Sequence, residues 1–156
     1  MSNLTTTPVV KMMFLSHGED MDPPSYETAG ASGMDLRAAI DEKTPLILHP
    51  MQRVLIPTGI VIELPNNYEA QIRPRSGLAL NHGITCLNTP GTIDSDYRGE
   101  IQVILINLGQ EAFEITRHMR IAQLVIAPVK QAYVERQEFT VDTIRGRGGF
   151  GSTGLT

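Results

Sequence analysis

Apolar residues in this chain come in short, β-branched-rich runs separated by Gly, Pro, Asn and Asp. The runs cover residues 9–15, 46–48, 54–56, 60–64, 69–73, 101–108, 112–115 and 121–126. Their length and spacing predict an all-β sandwich or barrel. Ile101, Val103 and Leu105, and likewise Phe113 and Ile115, alternate with their neighbours as half-buried strands do. Residues 60–62 and 124–126 are apolar on both faces, which predicts cover by a second sheet or another subunit. Pro45, Pro50, Pro57, Pro65 and Pro128 fall at strand ends, where a missing donor does little harm. One short helical turn is predicted. Ser76 serves as its N-cap, Leu78, Ala79 and Leu80 as helix formers, and Gly83 as its left-handed stop.

The pattern changes abruptly at residue 145, where five glycines in the next ten residues leave nothing to build a core. Residues 1–144 therefore read as one β domain and residues 145–156 as a flexible arm. Gly146, Gly148 and Gly151 formally match a dinucleotide fingerprint, but that motif needs a strand before it and a helix after it. Ser152 and Thr153 lack the preceding lysine of a P-loop. An arm that orders on a ligand would bring Arg145 and Arg147 to phosphates and Phe150 onto a base.

Composition narrows the function classes. A net charge of −4 and a pI near 5.5 speak against a nucleic-acid surface. Charged residues are 19% of the chain, below the roughly 25% usual for soluble domains, which leaves room for surface buried between subunits. The single cysteine, Cys86, excludes an internal disulfide and reads as a small buried hydrophobe in a reducing, cytoplasmic compartment. No apolar run approaches the roughly 18 residues that span a bilayer, and residues 1–8 lack the regions of a signal peptide. The expectation is a soluble protein with no membrane and no nucleic-acid partner.

Four constellations could carry chemistry. Residues 91–100, GTIDSDYRGE, put Asp94, Asp96, Tyr97 and Arg98 on a turn of hairpin type bounded by glycines. Arg75, Ser76 and Gly77 open the helical turn with a forked cation, a hydroxyl and room for close backbone approach, a pattern suited to an anion. Gln123 sits in an otherwise apolar strand, either capping a neighbour or projecting into a polar site. Asp35 and Arg37 bracket Leu36 and read as a structural ion pair. His17, His49, His82 and His118 show no metal-type spacing, which points away from a zinc hydrolase and towards attack by water with a carboxylate base.

ASGMDLRA, RPRSGLAL, GTIDSDYRGE, RIAQLV and RGRGGFGSTG occur in the order of the five motifs of the trimeric dUTP diphosphatases. The chain resembles that family over nearly its whole length. The resemblance implies a distorted β jelly roll assembled as a homotrimer with sites at subunit interfaces. It also implies hydrolysis of dUTP to dUMP and pyrophosphate, with Mg²⁺ held through the substrate phosphates and water. Asp94 would then be the general base that orients water and touches the sugar 3′-OH. Tyr97 would pack under the deoxyribose. Asn88, Thr92, Ile93 and Gln102 would read the uracil edge. Arg75, Ser76, Gly77 and Gln123 would hold the α- and β-phosphates. Arg145 would reach the γ-phosphate, Phe150 would stack on uracil, and Gly151, Ser152 and Thr153 would close over the phosphates. Asp35 would support the site without binding metal, and Arg147 falls where the family varies. The dCTP deaminases share the fold and an RS…GxID skeleton but lack the Asp-Ser-Asp-Tyr order and the Phe150 arm. A dUTPase-like binding protein without turnover and a capsid-type jelly roll are the non-enzymatic alternatives.

Overall fold

The structure, a computed structural model, describes residues 7–139 together with residues 143, 144 and 146. Among these, eleven strands, one 3₁₀ turn and one α-helix follow in chain order. They are β1 (Lys11–Phe14), η1 (Ser16–Gly18), β2 (Met34–Arg37), β3 (Leu46–Leu48), β4 (Arg53–Pro57), β5 (Ile60–Glu63) and β6 (Tyr68–Arg73). The helix α1 (Ser76–His82) comes next, then β7 (Ile84–Cys86), β8 (Gly91–Ile93), β9 (Gln102–Asn107), β10 (Phe113–Ile115) and β11 (Arg120–Pro128). All strand pairs are antiparallel, and they form a four-stranded sheet β2-β11-β6-β8, a three-stranded sheet β4-β9-β7, and the pairs β1-β5 and β10-β3. This is the all-β class that the pattern predicts, with the jelly-roll architecture that the family resemblance implies.

Alternation decides the core. Val103, Leu105 and Asn107 of β9 point inward, and Ile101 just before it is fully buried. Ile101, Val103 and Leu105 meet Leu36, Leu48, Ile56, Ile72, Ile84, Ile115 and Leu124 in one apolar cluster. Ile60, Ile62, Leu124 and Val125 are buried while Val61 and Ile126 are half-buried, so one chain covers these runs incompletely. Cys86 is a buried member of the same cluster, and burial pushes its thiol up to about 11. No helix among the described residues is long and apolar enough to cross a membrane.

Three strands lie where no run was read. Met34–Arg37 alternates inward Leu36 with outward Asp35, yet its polar members had suggested an ion-pair motif instead of a strand. Ile84–Cys86 and Gly91–Ile93 are three residues each, too short for periodicity to show. The 91–100 stretch also departs from a hairpin. Gly91–Ile93 pairs with β6, whereas Gln102–Asn107 pairs with β4 and β7. Residues between them carry the chain from one sheet to the other.

The helix begins one residue earlier than expected. Arg75 has the extended N-cap backbone, with φ −90° and ψ 126°, and Ser76 is the first helical residue with no side-chain cap bond. The Arg75 side chain is tied into the sheet, which fixes its backbone outside the helix. Gly83 ends the helix at φ 69°, and its N–H donates to Ala79 O.

Candidate functional site

Gln123 lies at the middle of the four-stranded sheet, opposite Asp35 on β2 and Arg73 on β6. Directly opposed residues share a face, so all three point away from the core that Leu124, Met34 and Ile72 line. The Gln123 amide donates to Pro74 O at 3.0 Å, which holds the end of β6 just before the helix. Both sequence readings of Gln123 are therefore met, since it also lines a cleft.

That helix cleft, of about 350 Å³, is bounded by Asp35, Arg75, Ser76, Gly77, Leu78, Asn81, His82 and Gln123. Asp35 is ion-paired, though not with Arg37. Its carboxylate receives Arg75 Nε at 3.0 Å and Arg120 Nη1 at 3.1 Å, while Arg37 donates to His118 O. The alternating pattern puts Asp35 and Leu36 on opposite faces, and β11 brings Arg120 alongside, which sequence spacing cannot reveal. Arg75 also donates to Arg120 O at 3.2 Å, so its guanidinium is oriented before any anion arrives. Asn81 and His82 were not anticipated. They follow from the helix geometry, which sets them a turn or more beyond Ser76 and Gly77 on the cleft wall.

A second cleft, of about 270 Å³, lies where the two larger sheets meet at the 91–100 stretch. Its polar wall holds Asn88, Thr92, Asp94, Tyr97, Glu100 and Gln102, and its apolar floor holds Leu55, Ile72, Ile93 and Ile104. The N–H of Tyr97 donates to Asp94 O at 3.1 Å, closing the turn, and Arg98 donates to Ser95 O and Tyr97 O. Asp94 is exposed and makes no ion pair among the described residues. It also borders a wider polar cleft of about 670 Å³ that runs along residues 66–69 with Ser95, Asp96, Val129 and Gln131. The floor residues Leu55, Ile72 and Ile104 escaped the sequence reading because they come from three strands, each an ordinary apolar run.

The structure thus gathers Asn88, Thr92, Ile93, Asp94, Tyr97 and Gln102 in the turn cleft, and Asp35, Arg75, Ser76, Gly77 and Gln123 in the helix cleft. The two clefts share no lining residue on one chain. Arg145, Phe150, Gly151, Ser152 and Thr153, and Arg147 with them, lie outside the described residues.

Residues 19–154 match the dUTPase family model. The chain belongs to the dUTPase family. It is 59% identical over 148 residues to the deoxyuridine 5'-triphosphate nucleotidohydrolase of Rhizobium leguminosarum bv. trifolii, covering 95% of each chain. It is 61% identical over 150 residues to the protein of that name from Rhizobium rhizogenes, covering 96% of each. Among solved structures, it superposes on a variant dUTPase of Staphylococcus bacteriophage 80alpha with dUpNHpp at a TM-score of 0.81. That pair is 22% identical over 96% of this chain and 100% of the other, so it speaks for the dUTPase fold alone. A variant dUTPase from phage phi11 of S. aureus, described with a structural Mg(II) ion, matches at a TM-score of 0.72 and 19% identity over 84% of this chain and 97% of the other.

Proposed function

We propose that this chain hydrolyses dUTP to dUMP and pyrophosphate, as a cytoplasmic homotrimer whose sites lie between subunits. The observation that carries the reading is the pair of separate clefts, each lined by the residues of different family motifs. A nucleotide needs a base-and-sugar pocket continuous with a cation-bearing groove, and one chain supplies these apart. A neighbouring copy that sets its helix cleft beside this chain's turn cleft would join them, and the names of the Rhizobium relatives support the substrate.

In this reading the turn cleft takes the deoxyuridine. Main-chain groups near Asn88 and at Thr92 and Ile93, with Gln102, meet the uracil edge, where cytosine would present a donor in place of an acceptor. The Tyr97 ring lies under the deoxyribose and leaves no room for a 2′-OH. Asp94 holds the attacking water and accepts its proton as the water oxygen bonds the α-phosphorus and the bond from that phosphorus to the α–β bridging oxygen breaks, releasing pyrophosphate. Arg75, Ser76, Gly77 and Gln123 hold the phosphates, with Arg75 kept in orientation by Asp35. Residues 145–156 act as the closing arm. Arg145 goes to the γ-phosphate, Phe150 to the uracil, and Gly151, Ser152 and Thr153 to the remaining phosphate oxygens.

The side chains fit Mg²⁺ held by phosphate oxygens and water. Among the described residues no three His, Cys, Asp or Glu side chains converge on a metal position, and Asp35 is already occupied by two guanidinium groups. The ion, when bound with the nucleotide, neutralises phosphate charge. The protein's contribution is position, charge and exclusion of water. The reaction keeps uracil out of DNA and supplies dUMP for thymidylate synthesis.

The deciding experiment measures pyrophosphate and ammonia release from dUTP, dTTP, dCTP and UTP, with Mg²⁺ and with a chelator. Pyrophosphate confined to dUTP and lost with chelator is expected. Ammonia from dCTP would mean a deaminase, and binding of dUTP without either product would mean a non-catalytic relative.

A further inference from the structure

We propose that Glu100, on the wall of the turn cleft, is a specificity-determining positioning residue that sets the Tyr97 ring through a hydrogen-bonded turn outside the cleft. The Tyr97 hydroxyl donates to the main-chain oxygen of Glu100 at 3.0 Å. To reach it, the ring folds back over Gly99. A Cβ added at Gly99 would lie 2.9 Å from Tyr97 Cε2 and closer still to Cζ and Oη, so residue 99 has to be without a side chain. The ring is thus located by where the Glu100 carbonyl is held.

Two sets of bonds hold the Glu100 peptide, one from its side chain and one from the adjoining Ile101. Glu100 Oε1 accepts the Gly59 N–H at 2.7 Å and lies 2.7 Å from His17 Nε2, and the side chain is only 17% exposed. Hydrogen bonds to an ionised acceptor at such a site are stronger than neutral ones. The next residue is clamped to the same turn. Ile101 N–H donates to Ile60 O at 2.8 Å, and its carbonyl accepts the buried Thr58 hydroxyl at 2.6 Å.

The receiving side is rigid. Gly59 has φ +70°, its carbonyl accepts Leu15 N–H at 2.8 Å, and a Cβ on Gly18 would fall 2.7 Å from its Cα. His17 is fixed in turn by Arg117, which donates to its carbonyl at 2.7 Å. The orientation of Tyr97 is therefore set by the β4–β5 turn and by η1, segments that touch no candidate ligand group. Loss of the carboxylate leaves the Gly59 N–H without its acceptor and the Glu100 carbonyl held from the Ile101 side alone, which lets the carbonyl tilt and the ring move with it.

This inference rests on the reading of Tyr97 as the sugar contact. The test is kcat/KM for dUTP and for UTP in the full-length parent, Glu100→Ala, Glu100→Gln and Tyr97→Ala, with Tm measured alongside. Glu100→Ala is expected to lower the dUTP-to-UTP ratio by about tenfold, while Glu100→Gln, which keeps an acceptor, stays within about threefold of the parent. An unchanged ratio in Glu100→Ala alongside a lowered one in Tyr97→Ala overturns the inference and leaves the Tyr97 reading intact. If neither variant moves the ratio, both fail. A lowered Tm with an unchanged ratio also overturns it, because Glu100 is then only structural, and a glutamine variant as impaired as alanine rejects the acceptor geometry. Should Glu100→Ala not fold, Gly99→Ala and Glu100→Asp take its place. Gly99→Ala displaces the ring with the carboxylate in place and so checks the Tyr97 reading. Glu100→Asp, whose shorter side chain draws the carboxylate back from the Gly59 N–H, checks Glu100 itself. A lowered ratio is expected in both, and a ratio unchanged in Glu100→Asp but lowered in Gly99→Ala overturns the proposal.

Discussion

Asn107 is a fully buried polar side chain at the end of β9, and its replacement tests how the helix cleft is supported. Its Nδ2 donates to Leu48 O and to Glu111 O, each at 2.8 Å, and its Oδ1 accepts Gly109 N–H at 2.8 Å. One amide therefore joins the end of β3 to the turn after β9. That turn also meets the helix end, since Leu108 N–H donates to Gly83 O at 2.9 Å. Asn107→Ala removes three hydrogen bonds at about 1 kcal/mol net each and strands buried polar groups. The expected loss is about 3–4 kcal/mol. At about 2–4 °C per kcal/mol for a chain of this size, Tm should fall by roughly 10 °C. Asn107→Asp keeps the acceptor but turns a carboxylate oxygen towards two carbonyls, and should cost at least as much. Urea and thermal melts at one fixed protein concentration are the assay, because association makes the midpoint depend on concentration. A loss under about 1 kcal/mol, or an aspartate tolerated as well as the parent, would refute the reasoning.

Asp94→Asn should keep nucleotide affinity within about threefold and lower kcat by about 10²–10⁴-fold, and near-normal turnover would remove Asp94 as the base. Truncation before Arg145 should leave a folded assembly by circular dichroism and sizing but reduce turnover by orders of magnitude; an unaffected rate takes the arm out of the mechanism. Cys86, with its thiol raised to about 11 against an ordinary value of 9.0, should resist alkylation in the native protein at pH 8 to about 10 and react on unfolding. The unfolded thiol ionises first, so stability from this group is whole below about pH 9 and declines between about 9 and 11. Melts that stay level across that window in the parent, but not in a control protein, would contradict the burial argument.

The strand content was legible because apolar alternation survives without context. Ile101, Val103 and Leu105 announce their inward face, and the structure buries all three. The residues that line the two clefts were legible as candidates too, Gln123 because its strand is otherwise apolar, and Arg75, Asp94 and Tyr97 because polar groups gather there beside glycines. What distance along the chain cannot show is who sits beside whom. Asp35 and Arg37 looked like partners, yet the sheet gives Asp35 to Arg75 and Arg120 and gives Arg37 to a carbonyl of residue 118. Gly91–Ile93 looked like half a hairpin, yet it pairs with β6.

By itself, then, the sequence determined the fold class, the short helix, the absence of a disulfide framework and the residues from which a site could be made. These depend on local propensity, on the period of side-chain burial and on composition, which act between near neighbours. The tertiary structure alone decided how those residues are distributed. It places them in two clefts with no residue in common, makes Asp35 the brace of Arg75, and anchors Tyr97 through Glu100 to a turn about forty positions earlier in the chain. Hydrogen bonds and ion pairs of that kind form between groups brought together by strand pairing, and nothing in the order of residues fixes them until the sheets have closed.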